Sequence, residues 1–247
     1  MSDFKGRTAI VTGAANGIGR AITQGLIQRG ARVVAVDMDA GDLNAAFGDN
    51  DSAHCLVLDV TARDAPGKIV AAAVERFGGL DFLINNAGIA IAGEFETLTD
   101  EQWDTIMDVN VRSMFRLSRE AVPELKKSEQ ARVINLGSIM SDLGGPTLAI
   151  YGASKHAVAG LSKGMAVDLG KYDITVNYLQ PGAIWTKMSR PFMDDPDFKA
   201  YWEGKAPAGR LGQPEEVASA AMYLLSEEAR FVSGLGFNVD GGAIVKF

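Results

Sequence analysis

The sequence predicts an α/β fold: one domain built on a doubly wound, parallel sheet of about seven strands flanked by helices. Three observations predict it. Short runs rich in β-branched residues alternate with longer segments of helical spacing, the pattern of repeated βαβ units. Runs such as TAIVT and RVVAVD are apolar along most of their length rather than at every second residue, as strands covered on both faces require. Finally, 247 residues with 47% hydrophobic content and no linker, repeat or low-complexity segment suit a single α/β unit spanning 1–247.

The elements follow in order. Strands are expected at 8–12, 32–37, 54–58, 82–85, 132–136, 175–179 and 236–239. The first helix begins at Gly17 and stops near Gly30, where glycine ends the periodic pattern. Further helices are expected at 66–77, 100–126, 149–169 and 214–225. Thr99 before Asp100 suits a helix cap, and Pro214 falls where a first-turn proline is tolerated. The stretch 186–210 interrupts the rhythm with three prolines and no clear period, and reads as an irregular lid over a ligand site.

Composition narrows the partners. A net charge of −7 argues against a nucleic acid or an anionic membrane surface and leaves a small molecule. Cys55 is the lone cysteine, so an intrachain disulfide is impossible, and no Cys/His spacing suggests a metal. No apolar run reaches the length of a membrane span, and the start lacks a basic stretch followed by an apolar one. A cytoplasmic protein is expected.

The first strand runs into VTGAANGIG at 11–19, with Gly13, Gly17 and Gly19. Glycine lets backbone N–H groups approach a pyrophosphate, and the following helix directs its positive end at the same anion. The spacing is GxxxGxG rather than GxGxxG, yet strand, glycine turn and helix follow the logic of a Rossmann-type dinucleotide site. Asp37 closes the second strand, where a carboxylate accepts hydrogen bonds from ribose hydroxyls and repels a 2′-phosphate. Neither Met38 nor Asn16 is basic, so NAD (NADH) is expected in preference to NADP.

With these residues in place, the chain resembles the short-chain dehydrogenase/reductase family, in its single-domain classical branch, over nearly all of residues 6–243. VTGAANGIG is similar to the family's cofactor motif, LDV at 58–60 to its adenine-side motif, and INNAG at 84–88 to the motif ending its fourth strand. VNV at 109–111, INLGS at 134–138, the Tyr151/Lys155 pair, QPGAIWT at 180–186 and VDGG at 239–242 follow in the family's order. The resemblance implies that the dinucleotide is held by Gly13, Asn16, Gly17, Ile18 and Gly19, with Asp37, Met38, Asp59 and Val60 on the adenosine side. Asn86, Ala87, Gly88, Tyr151, Lys155, Pro181, Gly182, Ile184 and Thr186 complete that set. Two positions depart from the usual pattern: Gly137 where many relatives carry serine, and Gln180 where asparagine or a basic residue is commoner.

The resemblance also implies a catalytic tetrad of Asn110, Ser138, Tyr151 and Lys155. Tyrosine titrates near pH 10 when unperturbed, so acting as a base near neutrality calls for a neighbouring cation. Lys155, four residues on and on the same helical face, is expected to supply that charge and to bind the nicotinamide ribose. Ser138 is expected to hold the substrate oxygen, and Asn110 to shape a water relay past Lys155. His156 points about 100° away from its neighbour and is read as structural.

The substrate side reads as apolar. Ser138, Met140, Tyr151, Trp185, Met188 and Phe192 are its expected contacts, with Ile139, Ile89, Ile91, Met193, Tyr201 and Trp202 as further wall residues. The reading is a secondary alcohol dehydrogenase or ketoreductase for a hydrophobic, cyclic or aryl substrate. Alternatives are a sugar or polyol dehydrogenase, a 3-oxoacyl thioester reductase, and a noncatalytic dinucleotide sensor. The resemblance implies a homotetramer.

Overall fold

The structure, a computed structural model, describes residues 3–190 and 194–246. Strands β1 (Thr8–Thr12), β2 (Arg32–Asp37), β3 (Ala53–Val57), β4 (Phe82–Asn85), β5 (Arg132–Leu136), β6 (Thr175–Pro181) and β7 (Gly236–Val239) form one sheet in the order 3-2-1-4-5-6-7. Every pairing is parallel. β3 lies one residue earlier than expected. β6 runs on to Pro181, because Gln180 and Pro181 stay in register with Asn238 and Val239 of β7.

The helices are α1 (Gly17–Gln28), α2 (Ala40–Phe47), α3 (Ala65–Phe77), α4 (Asp100–Met107), α5 (Ser113–Leu125), α6 (Ala149–Leu169), α7 (Pro196–Lys205) and α8 (Pro214–Leu225). The long helix expected at 100–126 is present but carries a π-helical turn, Asp108–Arg112, between α4 and α5. Thr99 caps α4 as expected, in a reciprocal box with Gln102. Two helices were not legible in the sequence. α2 buries only Leu43 and Phe47, too few apolar positions to show a period, and is started by the Asp39 carboxylate accepting from Asp42 N–H. α7 lies inside the stretch expected to be irregular, with Pro196 at its start.

α1, α2 and α8 cover one sheet face around Leu26, Leu43 and Val217. On the other face α3 and α5 pack around Ile69 and Leu117. Each fully buried aliphatic side chain of this kind contributes about 2 kcal/mol by leaving water. The chain winds one way from β1 to β2 and β3 and the other way from β4 onward. The crevice beyond the carboxyl ends of β1 and β4 is therefore where loops from both halves meet.

Candidate active site

The glycine turn leaves β1 at that crevice. Gly13 and Gly17 have φ of +66° and +52°, a region that favours glycine. A Cβ on Gly19 would collide with the Gly13 carbonyl and the Asn86 amide, so α1 packs onto the turn only without one. Asn16 stands at the N-cap of α1 but gives it no side-chain cap, donating instead to Asp42 Oδ2 at 2.8 Å. The first-turn N–H groups of α1 are thus left without a side-chain acceptor at the positive end of a helix, a donor set that fits a pyrophosphate.

Asp37 is fixed beside this turn: Oδ2 accepts from Ala15 N–H at 2.9 Å and Oδ1 from Asp39 N–H at 3.0 Å. Met38 beside it is 74% exposed. Asp59 accepts from both the N–H and the hydroxyl of Thr61 at 2.8 Å, closing the turn after β3 that carries Val60. From β4, the Asn86 amide donates to the carbonyls of Thr12 (2.8 Å) and Gly13 (3.0 Å), while Asn86 and Ala87 N–H both reach the Thr12 hydroxyl. Gly182 N–H reaches the Val239 carbonyl at 3.0 Å, and Ile184, buried, bridges to Gly212. A Cβ on Gly17 would lie 3.1 Å from the Thr186 methyl, which brings the 180–186 segment against the glycine turn.

The second group assembles where β5 meets α6. Ser138 follows β5 and caps a short 3-10 turn, its Oγ accepting from Met140 N–H at 3.1 Å. Tyr151 and Lys155 project from α6. The Tyr151 phenol is close enough to Ser138 to feel its hydroxyl, and Lys155 Nζ lies 5.6 Å from the centre of the Tyr151 ring. Lys155 Nζ donates to the Leu136 carbonyl at 2.7 Å. Asn110 arrives on the π turn, and its whole amide is engaged: Oδ1 accepts from Ile89 N–H at 2.8 Å, while Nδ2 donates to the Ile89 carbonyl (2.9 Å) and the Ser154 hydroxyl (3.0 Å). A Cβ on Gly88 would stand 3.2 Å from Asn110 Oδ1 and 3.7 Å from Lys155 Nζ, which explains glycine there and brings all four tetrad positions into one cluster.

The electrostatics differ from expectation in one respect. Burial raises the Tyr151 phenol above its ordinary value, and the Ser138 hydroxyl pulls less strongly the other way. Lys155 beside it is desolvated too, and its ammonium is lowered to about 8. His156 bonds back to its own helix, Nδ1 to the Gly152 carbonyl at 2.9 Å. Among the described residues no His, Cys, Asp and Glu cluster could hold a metal.

On the substrate side, Ile139 and Met140 are buried, and a Cβ on Gly145 would press on the Met140 thioether at 3.2 Å. Trp185 is half-buried, with the Lys199 ammonium 5.9 Å over its ring, and Met188 is exposed. Tyr201 and Trp202 pair edge to face at 5.5 Å. Phe192 and Met193 lie outside the described residues. Sequence reasoning missed the pairing of Lys187, whose ammonium reaches Asp42 at 2.6 Å and Asp39 at 3.2 Å beside Asn16 of the glycine turn, which bonds the same Asp42 oxygen. The signal, Asp39 three residues before Asp42 at a helix start, was visible. Its pairing with a lysine 145 residues away was not.

Known proteins resemble the chain over its full length. The family model described as enoyl-(acyl carrier protein) reductase matches residues 13–243. A 3-oxoacyl-(acyl-carrier-protein) reductase FabG of Vibrio cholerae is 37% identical over 97% of this chain and 98% of its own. A gluconate 5-dehydrogenase of Gluconobacter oxydans is 37% identical over 99% of this chain and 97% of its own. A crystal structure described as a putative gluconate dehydrogenase of Agrobacterium tumefaciens superposes with a TM-score of 0.95 at 31% identity, covering 99% and 98% of the two chains. The glycine turn, the β5/α6 cluster and these full-length likenesses agree: the chain belongs to the short-chain dehydrogenase/reductase family of nicotinamide-dependent oxidoreductases.

Proposed function

We propose that this protein interconverts a secondary alcohol and a ketone with NAD(H), using Tyr151 as general acid and base. The observation that carries the reading is the gathering of Ser138, Tyr151 and Lys155 where β5 meets α6, with Lys155 Nζ 5.6 Å from the centre of the Tyr151 ring and Asn110 tying the loop beside them. Bound nicotinamide supplies hydride exchange at the carbinol carbon. Ser138 orients the substrate oxygen, and Tyr151 exchanges its proton. Lys155, held by the Leu136 carbonyl, supplies positive charge to the phenol when protonated. Because burial favours the neutral phenol, Tyr151 would draw on the positive charge that bound oxidised nicotinamide would supply as well as on Lys155.

The dinucleotide is held by the glycine turn and the open N-terminus of α1, with Asn86, Gly88 and the 181–186 segment on the nicotinamide side. Three carboxylates, Asp37, Asp39 and Asp42, surround the ribose end, and the lysine near them, Lys187, is already paired with two. That balance favours NAD over NADP, since a 2′-phosphate would meet net negative charge. The 186–210 segment is read as the lid, and the active protein as a homotetramer.

A second reading, reduction of a 3-oxoacyl thioester, is favoured by the name of the Vibrio cholerae relative. Against it, Lys187 and Arg210 are both committed to ion pairs, Arg210 to Glu216 at 2.6 Å, which leaves less basic surface for an acidic carrier. Steady-state turnover with NADH and NADPH on cyclic ketones, aryl ketones, keto sugars and acetoacetyl-coenzyme A separates the two. Exclusive use of the thioester overturns the first reading.

A further inference from the structure

Two departures noted in the sequence, Gly137 and Gln180, prove to be parts of one construction around Ser138. Gln180 is 2% exposed in β6. Its Nε2 donates to Asp142 Oδ2 at 2.6 Å and approaches the Ser138 carbonyl at 3.5 Å. Ser138 and Asp142 cap the 3-10 turn Ile139–Ser141 at its two ends, so one buried amide braces both ends of the segment that follows the serine. Each part needs a glycine opposite it. A Cβ at position 236 would strike Gln180 Oε1 and stand 2.6 Å from the Tyr178 ring, and one at position 137 would stand 2.8 Å from Ser141 Oγ. Ser141 uses the room that Gly137 leaves to accept from Ser138 N–H at 3.2 Å.

The construction leaves one group pointing outward. Gln180 and Ser141 are buried and engaged, whereas Asp142 is exposed, with Oδ2 fixed and Oδ1 receiving no donor from the described residues. The facing loop after β4 is tied to the same wall by Gly93 N–H to the Thr147 carbonyl at 2.9 Å. Across both loops, 86–95 and 138–150, the ionisable side chains besides the catalytic pair are Glu94, Asp142 and no lysine, arginine or histidine. A wall that offers acceptors and no cation receives a donor and repels an anion.

Resting on the oxidoreductase reading above, we propose that Asp142, braced by Gln180, is a specificity-determining residue that selects substrates bearing a hydroxyl or ammonium group over apolar and anionic analogues. The apolar walls then hold the carbon frame, and the carboxylate orients it through one polar substituent. A desolvated hydroxyl bound here has its acceptor supplied, whereas a substrate carboxylate would meet like charge.

The test uses the full chain with NADH and a matched set of probes: cyclohexanone, its 3- and 4-hydroxy derivatives, 4-aminocyclohexanone as the ammonium, and 4-oxocyclohexanecarboxylate. In the wild type, kcat/KM for a hydroxy or ammonium ketone is expected to exceed that for cyclohexanone by about tenfold, with the carboxylate poorest. Asp142→Asn should erase the ammonium advantage and improve the carboxylate, and Asp142→Ala should bring the hydroxy-to-parent ratio to about one. Gln180→Leu should lower the same ratio through KM. NADH binding by fluorescence reports that each variant is folded. Ketone turnover with ratios unchanged in Asp142→Ala overturns the assignment alone. Absence of wild-type turnover on every probe and on the broader ketone panel overturns the oxidoreductase reading and the assignment with it.

Discussion

Lys155 Nζ donates to the Leu136 carbonyl at 2.7 Å, which fastens α6 to the end of β5 at the point where Ser138 begins its turn. A buried ammonium in that position is both a brace and a titrating charge. Its lowered value of about 8, against a solution lysine near 10.4, means that the folded protein carries a desolvated cation below pH 8 and is relieved of it above. Relative to Lys155→Met, the wild type should therefore gain stability as pH rises from 8 to 10, by about 3 kcal/mol in all. Urea unfolding at pH 7, 8.5 and 10 checks this. A pH-independent difference would show that the charge is not buried.

Replacing Tyr151 by Phe removes the exchanging proton but keeps the ring. Turnover should fall by about a thousandfold, while NADH binding, followed by fluorescence, stays near the wild-type value. Preserved turnover would reassign the acid/base.

Asp37 accepts two backbone N–H groups beside the glycine turn, and in the proposed function it meets the adenosine ribose. In Asp37→Ala, KM for NAD should rise by about tenfold and the gap to NADP should narrow, since both an acceptor and a repelling charge are lost. A wild type that already prefers NADP contradicts the cofactor reading.

Lys187 ties the 186–190 segment to Asp39 and Asp42 at the start of α2, and Asp42 is held down to about 2 by that lysine. The pair is exposed, so it adds little to global stability and is weakened by salt. Stopped-flow displacement should show NADH leaving Lys187→Ala about threefold faster at low salt, with the difference vanishing near molar salt. Equal rates at low salt would mean that the tie does not gate release.

Gly236 faces Gln180 and Tyr178 across β6 and β7. Gly236→Ala should cost about 2 kcal/mol through overpacking and lower the melting temperature by roughly 4 to 8 °C. An unchanged melting temperature would mean that β7 shifts freely to make room.

The sequence by itself determined the strands and the family. Buried parallel strands declare themselves locally, as TAIVT and RVVAVD do, and Ser138, Tyr151 and Lys155 were singled out by the ordered motifs in which the chain resembles its family. α2 escaped because Leu43 and Phe47 alone form no period, and α7 because its start is hidden among prolines and charges. The roles of Gly137 and Gln180 escaped for a different reason. Each answers a neighbour distant in the chain, Gln180 with Asp142 and Gly236, and only the close approach of β5, β6 and β7 makes those residues compete for one volume. The tertiary structure likewise decided the state of the centre. Spacing along a helix shows that Lys155 can face Tyr151, but desolvation depends on everything packed around the pair, and here burial raises the phenol and lowers the ammonium.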